Sequence, residues 1–348
     1  MSHPVEFRRD DTVSRNRRAV NEEAEPIVSV VIPVYNHEEY IRESVESALS
    51  QDYDNLEVIV VDDGSTDATP EVLKTFGSRI RYIRQKNKGT AAALNTGIRH
   101  AQGSLIAWLS SDDVFLPGMI KRQVAELNKE PSFAMVYADF VEIDSHGKEL
   151  RVVRCPFPPV GEFAIELLKG NFINGSSVLI RKGCFEQVGL FDESLPTDSD
   201  GDMWFRLLKN GYEFGHIPEV LVKYRWHSSN LSHKYKLHHY CKDRVRVRAL
   251  RAFSDRELFS KKFEEEQGRF DLAYEKLALV FARQFLFRAA GVAVKKSMQT
   301  NFALRGCGLW LIFRVMSMKV FLSPLLSFRF WLGRLLSFRS WLGRSKSS

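Results

Sequence analysis

Three carboxylate clusters are the residues most able to do chemistry. Asp62 and Asp63 open DDGSTD (62–67), Asp112 and Asp113 close SSDD (110–113), and Asp198, Asp200 and Asp202 sit in DESLPTDSDGD (192–202). SSDD, with its Asp112–Asp113 pair, directly follows the apolar run LIAWL (105–109). Such a pair suits a divalent cation, because Mn2+ or Mg2+ takes few protein carboxylates and fills its other positions with phosphate oxygens and water. The competing reading is a solvated turn or a helix cap before Pro117. Asp62 and Asp63 read equally as turn formers, yet two carboxylate loops on one edge repel unless a cation or polar ligand lies between them. In the third cluster, a carboxylate beside the apolar Met203–Trp204 pair could take a proton from a hydroxyl. The alternative there is the charged face of a surface helix.

These residues must be held by regular elements. Apolar, β-branched runs at Ile27–Val34, Glu57–Val61, Ile80–Ile83 and Leu105–Leu109 alternate with helical spacing at Glu38–Ser50, Thr69–Phe76 and Thr90–Ala101. The alternation predicts βαβ units and a parallel sheet covered by helices on both faces. Ligands of such sheets bind beyond the carboxyl ends of the strands, where PVYN (33–36), DDGSTD and SSDD all fall. Neither G-x-G-x-x-G nor G-x-x-x-x-G-K-S/T occurs in these loops, which disfavours a dinucleotide site or a P-loop. Beyond Pro117 the spacing predicts a helix over Pro117–Asn128 and strands at Phe133–Ile143 and Ser176–Ile180. A helix from about Asp202 to Asn210, a strand ending in YRWH (224–227) and a charged helix over Tyr235–Glu275 follow.

With these residues in view, VSVVIPVYNHEEYIRESVESALSQDYDNLEVIVVDDGSTD (28–67) closely resembles the opening of family 2 glycosyltransferases, the inverting nucleotide-sugar enzymes of GT-A fold. The likeness continues through GTAAALNTGIRHAQGSLIAWLSSDD (89–113) and FDESLPTDSDGDMWFRLLKNGYEFGHIPEVLVKYRWHSSNLS (191–232), about 60% of the chain. It implies an α/β, GT-A Rossmann-like, mostly parallel sheet with helices on both faces and a helical C-terminal extension. Pro33, Tyr35, Asn36, Asp63 and Asn87 would bind the nucleotide-sugar, with Asp63 taking the base N–H. SSDD stands at the family's D-x-D motif, so Asp112 and Asp113 would share ribose contact and metal coordination, Asp113 being slightly favoured for the metal. Ser110 replaces an Asp common in the family, and Ser199 replaces a Glu. Asp200 inherits the role of catalytic base, Asp202 being the fallback. Arg225 and His227 match a position near the diphosphate and metal, and Trp204 would floor the acceptor site or simply be core.

The implied reaction moves a sugar from a nucleotide-diphosphate sugar, UDP-sugars favoured, to a hydroxyl of a glycan or lipid-linked acceptor, with Mn2+ or Mg2+ as cofactor. A non-catalytic nucleotide-sugar-binding scaffold is the alternative, supported by Ser110 and Ser199. A nucleotidyltransferase is disfavoured, since no glycine-rich basic loop opens the chain. The expected organisation is a flexible leader (1–26), a glycosyltransferase domain (27–232, dividing at 115/116 into donor and acceptor halves), a helical extension (233–300) and a basic aromatic tail (301–348).

Charge is unevenly spread over the 348 residues. Residues 276–348 carry 13 Lys or Arg and no acid, leaving 37 basic against 43 acidic residues before them. A basic, aromatic end beside an acidic body points to an anionic membrane surface and away from nucleic acid. LLSFRFWLGR (325–334) is nearly repeated as LLSFRSWLGR (335–344), and such segments can lie in a membrane interface with arginines snorkelling. Arg305, Arg314, Lys319 and Pro324 argue against a span over Phe302–Leu326. A packing or oligomerisation tail is the competing reading. The four cysteines lack C-x-x-C spacing and no signal-peptide pattern occurs in 1–26. Together these predict a cytoplasmic protein, peripheral at the inner membrane face.

Overall fold

The computed structural model describes residues 25–159, 161–231, 235–259, 270–284 and 286–300. Most of the expected leader and all of the basic tail, 301–348, lie outside the described residues.

The first half alternates as the runs predict: β1 (Val28–Val34), α1 (Ile41–Leu49), β2 (Leu56–Asp62), α2 (Thr69–Lys74), β3 (Arg81–Arg84), α3 (Thr90–His100) and β4 (Leu105–Trp108). Every residue of β1 is buried, as a strand covered on both faces requires. These four strands pair in parallel in the order β3-β2-β1-β4. Chain order reverses about β1, leaving a crevice between the carboxyl ends of β1 and β4, the usual ligand position in such sheets.

The second half is mixed. It comprises β5 (Val114–Phe115), α4 (Met119–Leu127), β6 (Phe133–Ile143), β7 (Glu149–Val153), α5 (Phe163–Lys169), β8 (Val178–Arg181), α6 (Gly183–Val188), α7 (Ser199–Lys209) and β9 (Glu213–Arg225). β8 joins β4 and β6 antiparallel, while β6 and β9 run parallel. One sheet of nine strands results, with β5 on its far edge and β7 paired to β6.

Helices α8 (Tyr235–Ala252), α9 (Asp255–Leu258), α10 (Phe270–Arg283) and α11 (Phe287–Thr300) follow. The single helix expected over Tyr235–Glu275 is therefore broken. At the break, Ser254 and Glu257 form a reciprocal capping box that starts α9, a signature legible in SDRE (254–257). Along α8, the buried Cys241, Val245 and Ala249 form one apolar stripe. Asp243 accepts the Arg288 and Ala289 backbone N–H groups at 3.1 and 2.8 Å, satisfying donors that the start of α11 leaves open. One hydrophobic cluster runs from Val28 to Val294, so these helices share the core of the sheet. Among the described residues no helix is long and apolar enough to cross a membrane. Cys155, Cys184 and Cys241 are buried and free.

Candidate active site

The loops after β1, β2 and β4 meet residues of the β8 approach, α7 and α8 around one cleft of about 940 Å3. That volume is near the upper end for small-molecule sites, enough for two ligands side by side.

On the β1–β2 side the polar groups are tied to one another. Asn36, held at φ 52°, accepts the Thr66 N–H at 2.7 Å, and its own N–H reaches Ser65 Oγ at 3.0 Å. The carboxylate of Asp63 accepts from Gln85 Nε2, Lys88 N and Gly89 N at 2.8, 2.9 and 2.7 Å. It thereby shapes the 85–89 loop that presents Asn87, and keeps lone-pair capacity for one further donor. Gly64 lets that loop approach, since a Cβ there would lie 3.1 Å from Asn87 N at a φ of +81°. Pro33, Tyr35, Asn36, Asp63, Asn87 and Asp112 all line the cleft, and Tyr35 presents an exposed ring.

The SSDD pair divides. Asp112 faces the cleft and meets His227 Nε2 at 2.9 Å. Asp113 turns inward, is wholly buried, and accepts from Ser176 Oγ at 2.5 Å and Arg225 N at 2.9 Å. Burial, and then the Asp112 charge, push its carboxyl well above the usual range. Asp113 is thus held by protein donors. Of the two carboxylates it is Asp112, against the slight preference for Asp113, that stands in a group able to hold a metal. Arg225, expected near a diphosphate, is also inward. Its guanidinium is spent on Glu43 at 2.5 Å and on the Asp112 carbonyl at 2.8 Å, and it stacks 5.0 Å over Tyr40.

His37, which the sequence reading passed over, completes the Asp112–His227 pair. Ligand atoms of the three residues lie within 4.8 Å of one another. His37 Nδ1 meets Ser111 Oγ at 2.7 Å, His227 Nδ1 meets Ser229 Oγ at 2.7 Å, and burial lowers the His37 pKa, favouring its neutral form. The available signal was a histidine directly after PVYN, on a loop already assigned to the site. One carboxylate and two imidazoles, each oriented by a hydroxyl on Nδ1, fit a transition-metal dication better than Mg2+, whose preferred partners are all oxygen.

Across the cleft, α7 begins at Ser199, three residues before the expected start. Asp198 caps it at φ 59° and pairs with Arg246 of α8 at 2.7 Å, both side chains buried. Burial pushes Asp198 up to about 6, against the pull of Arg246. This start aims Asp200 into the cleft, where its Oδ2 accepts from Asn171 Nδ2 at 2.8 Å. Burial raises the Asp200 pKa, while bonds from the Gly201 backbone and Asn171 oppose it. Asp202 points elsewhere, to Arg206 at 2.8 Å and Arg248 at 3.2 Å, and lines a separate cavity. Trp204 is fully buried and packs edge-on against Phe214, outside the cleft lining. The tryptophan in the wall is Trp108, which rests on Gly175: a Cβ there would be 2.7 Å from the indole.

A cleft with this strand order and these loops invites comparison with nucleotide-sugar enzymes. The profile of Glycosyl transferase family 2 matches residues 29–189. An uncharacterised Haemophilus influenzae glycosyltransferase is 31% identical over 224 residues, covering 60% of this chain and 68% of the relative. The chain belongs to glycosyl transferase family 2. An uncharacterised Rickettsia felis glycosyltransferase is 39% identical over 221 residues, 61% of this chain but 36% of that protein. Escherichia coli chondroitin synthase is 34% identical over 213 residues, 60% of this chain and 30% of the synthase. This chain thus aligns with about a third of the length of both proteins. Among solved structures, the Pyrobaculum calidifontis mannosyltransferase PcManGT, in complex with GDP-Man and Mn2+, superposes with TM-score 0.54 at 18% identity. That match covers 85% of this chain and 81% of PcManGT. S. aureus TarS residues 1–349 with UDP-GlcNAc gives 0.52 at 16% identity, covering 80% and 93%. At these identities the likeness concerns the fold, and the fold is GT-A, as the sequence resemblance implied.

Proposed function

We propose that this family 2 member is an inverting glycosyltransferase, moving a sugar from a nucleotide-diphosphate sugar to an acceptor hydroxyl. One observation carries the reading: a single cleft is lined both by Asp112 and His37, which His227 joins in a carboxylate–imidazole cluster, and by Asp200, a half-buried carboxylate with raised pKa. The β1–β2 loops and Asn87 would receive the nucleoside, with the remaining acceptor site of Asp63 open to a base N–H. Asp112, His227 and His37 would hold Mn2+, which when bound stabilises the charge gathering on the leaving diphosphate. Asp200 takes the acceptor proton as that oxygen attacks the anomeric carbon, and the carbon–oxygen bond to the diphosphate breaks on the opposite face. A raised pKa makes Asp200 a stronger base than an ordinary aspartate.

The substrates are proposed more coarsely: a UDP-sugar donor and a glycan or lipid-linked acceptor in cell-surface polysaccharide synthesis. The basic tail, outside the described residues, would hold the protein at the anionic cytoplasmic face of a membrane. Support for the donor class comes from two fold neighbours in complex with nucleotide sugars, GDP-Man and UDP-GlcNAc. Calorimetric titration with UDP, GDP and dTDP, each with and without Mn2+, tests the reading. Metal-dependent binding of one nucleotide, followed by turnover of its sugar, is expected. Binding without turnover would leave the scaffold reading, and no binding would sink both.

A further inference from the structure

Helix α8 belongs to the chain beyond the matched profile, which ends at residue 189, yet it forms one wall of the cleft. His238, Lys242 and Arg246 stand four residues apart along it, and that spacing sets them in one stripe. Three basic side chains on one face repel one another, and a partly buried ammonium loses hydration. Such a stripe is stable only where counter-charges meet it.

Two of the three are accounted for. Arg246 is held by Asp198 at 2.7 Å. Burial pushes His238 down to about 4, so it is a neutral imidazole at pH 7, meeting Thr197 Oγ1 at 3.3 Å. Lys242 differs. It lines the cleft with Asp198, Asp200 and His238, but among the described residues it forms no hydrogen bond or ion pair. The nearest acids are already engaged, Asp198 by Arg246 and Asp200 by Asn171 and the Gly201 backbone. Leu231 and Leu237 also line the cleft. Burial and then Arg246 lower the Lys242 pKa, against the pull of Asp198 and Asp200.

We propose that Lys242 binds an anionic group of the acceptor, a carboxylate or phosphate carried near the hydroxyl that Asp200 deprotonates. The inference rests on the glycosyltransferase reading and narrows its acceptor class to charged glycans. A uronate and a sugar or lipid phosphate offer the same oxygen chemistry to an ammonium. The anion would supply the missing counter-charge and place the acceptor by a contact about one residue wide, while Asp200 takes the proton.

The test uses the full chain and three matched probes: phenyl glucoside, phenyl glucuronide and phenyl glucoside 6-phosphate. Their affinities are measured by saturation-transfer NMR with and without UDP and Mn2+, on wild type, Lys242→Met and Lys242→Arg. The proposal expects wild type to prefer at least one charged probe over the glucoside by about tenfold, the value of one charge-assisted contact of ~1.4 kcal/mol. Lys242→Met should erase that preference and Lys242→Arg restore part of it. The preferred charged probe tells carboxylate from phosphate. Equal affinities in wild type, no binding of any probe, or a preference that survives in folded Lys242→Met would overturn it. A UDP titration in the same series separates the two ideas: loss of UDP binding refutes the donor site, whereas normal UDP binding without charge preference refutes only the role of Lys242.

Discussion

The two walls of the cleft are built on different terms. On the β1–β2–β4 side, polar side chains are largely spent on one another: Asn36 on Thr66, Asp63 on the 85–89 loop, Asp113 on Ser176 and Arg225. On the α7–α8 side, Asp200 is held by Asn171 and the Gly201 backbone. Lys242 lines the cleft with no hydrogen bond or ion pair among the described residues, beside a buried Asp198–Arg246 pair. A wall whose groups are satisfied is set before any ligand arrives, at little cost on binding. The opposite wall keeps an ammonium with unmet demand, and the proposed acceptor chemistry is assigned to that side. The lesson is that paired carboxylates in the sequence do not mark equal roles. In SSDD, Asp113 is held inward by Ser176 and Arg225 while Asp112 faces the cleft.

The largest expected break of this contrast is Asp200→Asn. Turnover should fall about 10²–10⁴-fold, the usual value of general-base assistance, while calorimetry shows nucleotide binding near the wild-type value. The acid limb of the wild-type rate profile sharpens the assignment. A base works only when deprotonated, and Asp200's pKa is raised by burial, so activity should be lost as pH falls through a value above the ordinary aspartate range. A limb at the ordinary value or below would contradict it.

Arg246→Met attacks the support beneath that wall. It leaves Asp198 buried without its partner, a change that costs about 3–5 kcal/mol when one member of a buried pair is removed, read from urea unfolding. Adding Asp198→Asn should recover part of the loss, because the stranded charge is then gone.

The SSDD pair gives the next contrast. Asp112→Asn should weaken Mn2+ binding by at least the roughly 10–100-fold known for loss of a supporting partner, with little change in melting temperature. Asp113→Asn should do the reverse, lowering stability with a smaller change in metal affinity. Equal effects in both assays would mean that the inward and cleft-facing roles are wrongly divided.

The smallest effect belongs to Asp202→Asn. Its partners Arg206 and Arg248 lie near the surface, so about 1 kcal/mol or less of stability should be lost, with turnover close to wild type. A collapse in turnover comparable to Asp200→Asn would return Asp202 to candidacy as the base.

Much of this was legible beforehand for definable reasons. Continuous apolar runs such as VSVVIPV and LEVIVVD can be stable only as strands covered on both faces, and both are so placed. Polar loops that follow such strands must gather at one edge, as the loops after β1, β2 and β4 do. The break at Ser254 carried a local sign, its capping box, but the charged spacing over Tyr235–Glu275 masked it and led to the expectation of one helix. What could not be read was side-chain direction. Asp200 and Asp202 differ by about 200° around a helix, so one of them faces the cleft only once α7 has been docked. Asp112 and Asp113 are divided by the same kind of choice, made by Ser176 and the Arg225 backbone from distant elements.

The sequence alone therefore determined the main strands, though not the short β5 or β7, and where the polar loops collect and which residue types stand in them, because periodicity and turn chemistry are local. Only the tertiary structure brought His37 to Asp112 and His227, sent Asp113 and Arg225 inward, and set Lys242 across from the donor loops. Those contacts join residues far apart in the chain, and their geometry follows from packing of the whole core, which no local pattern encodes.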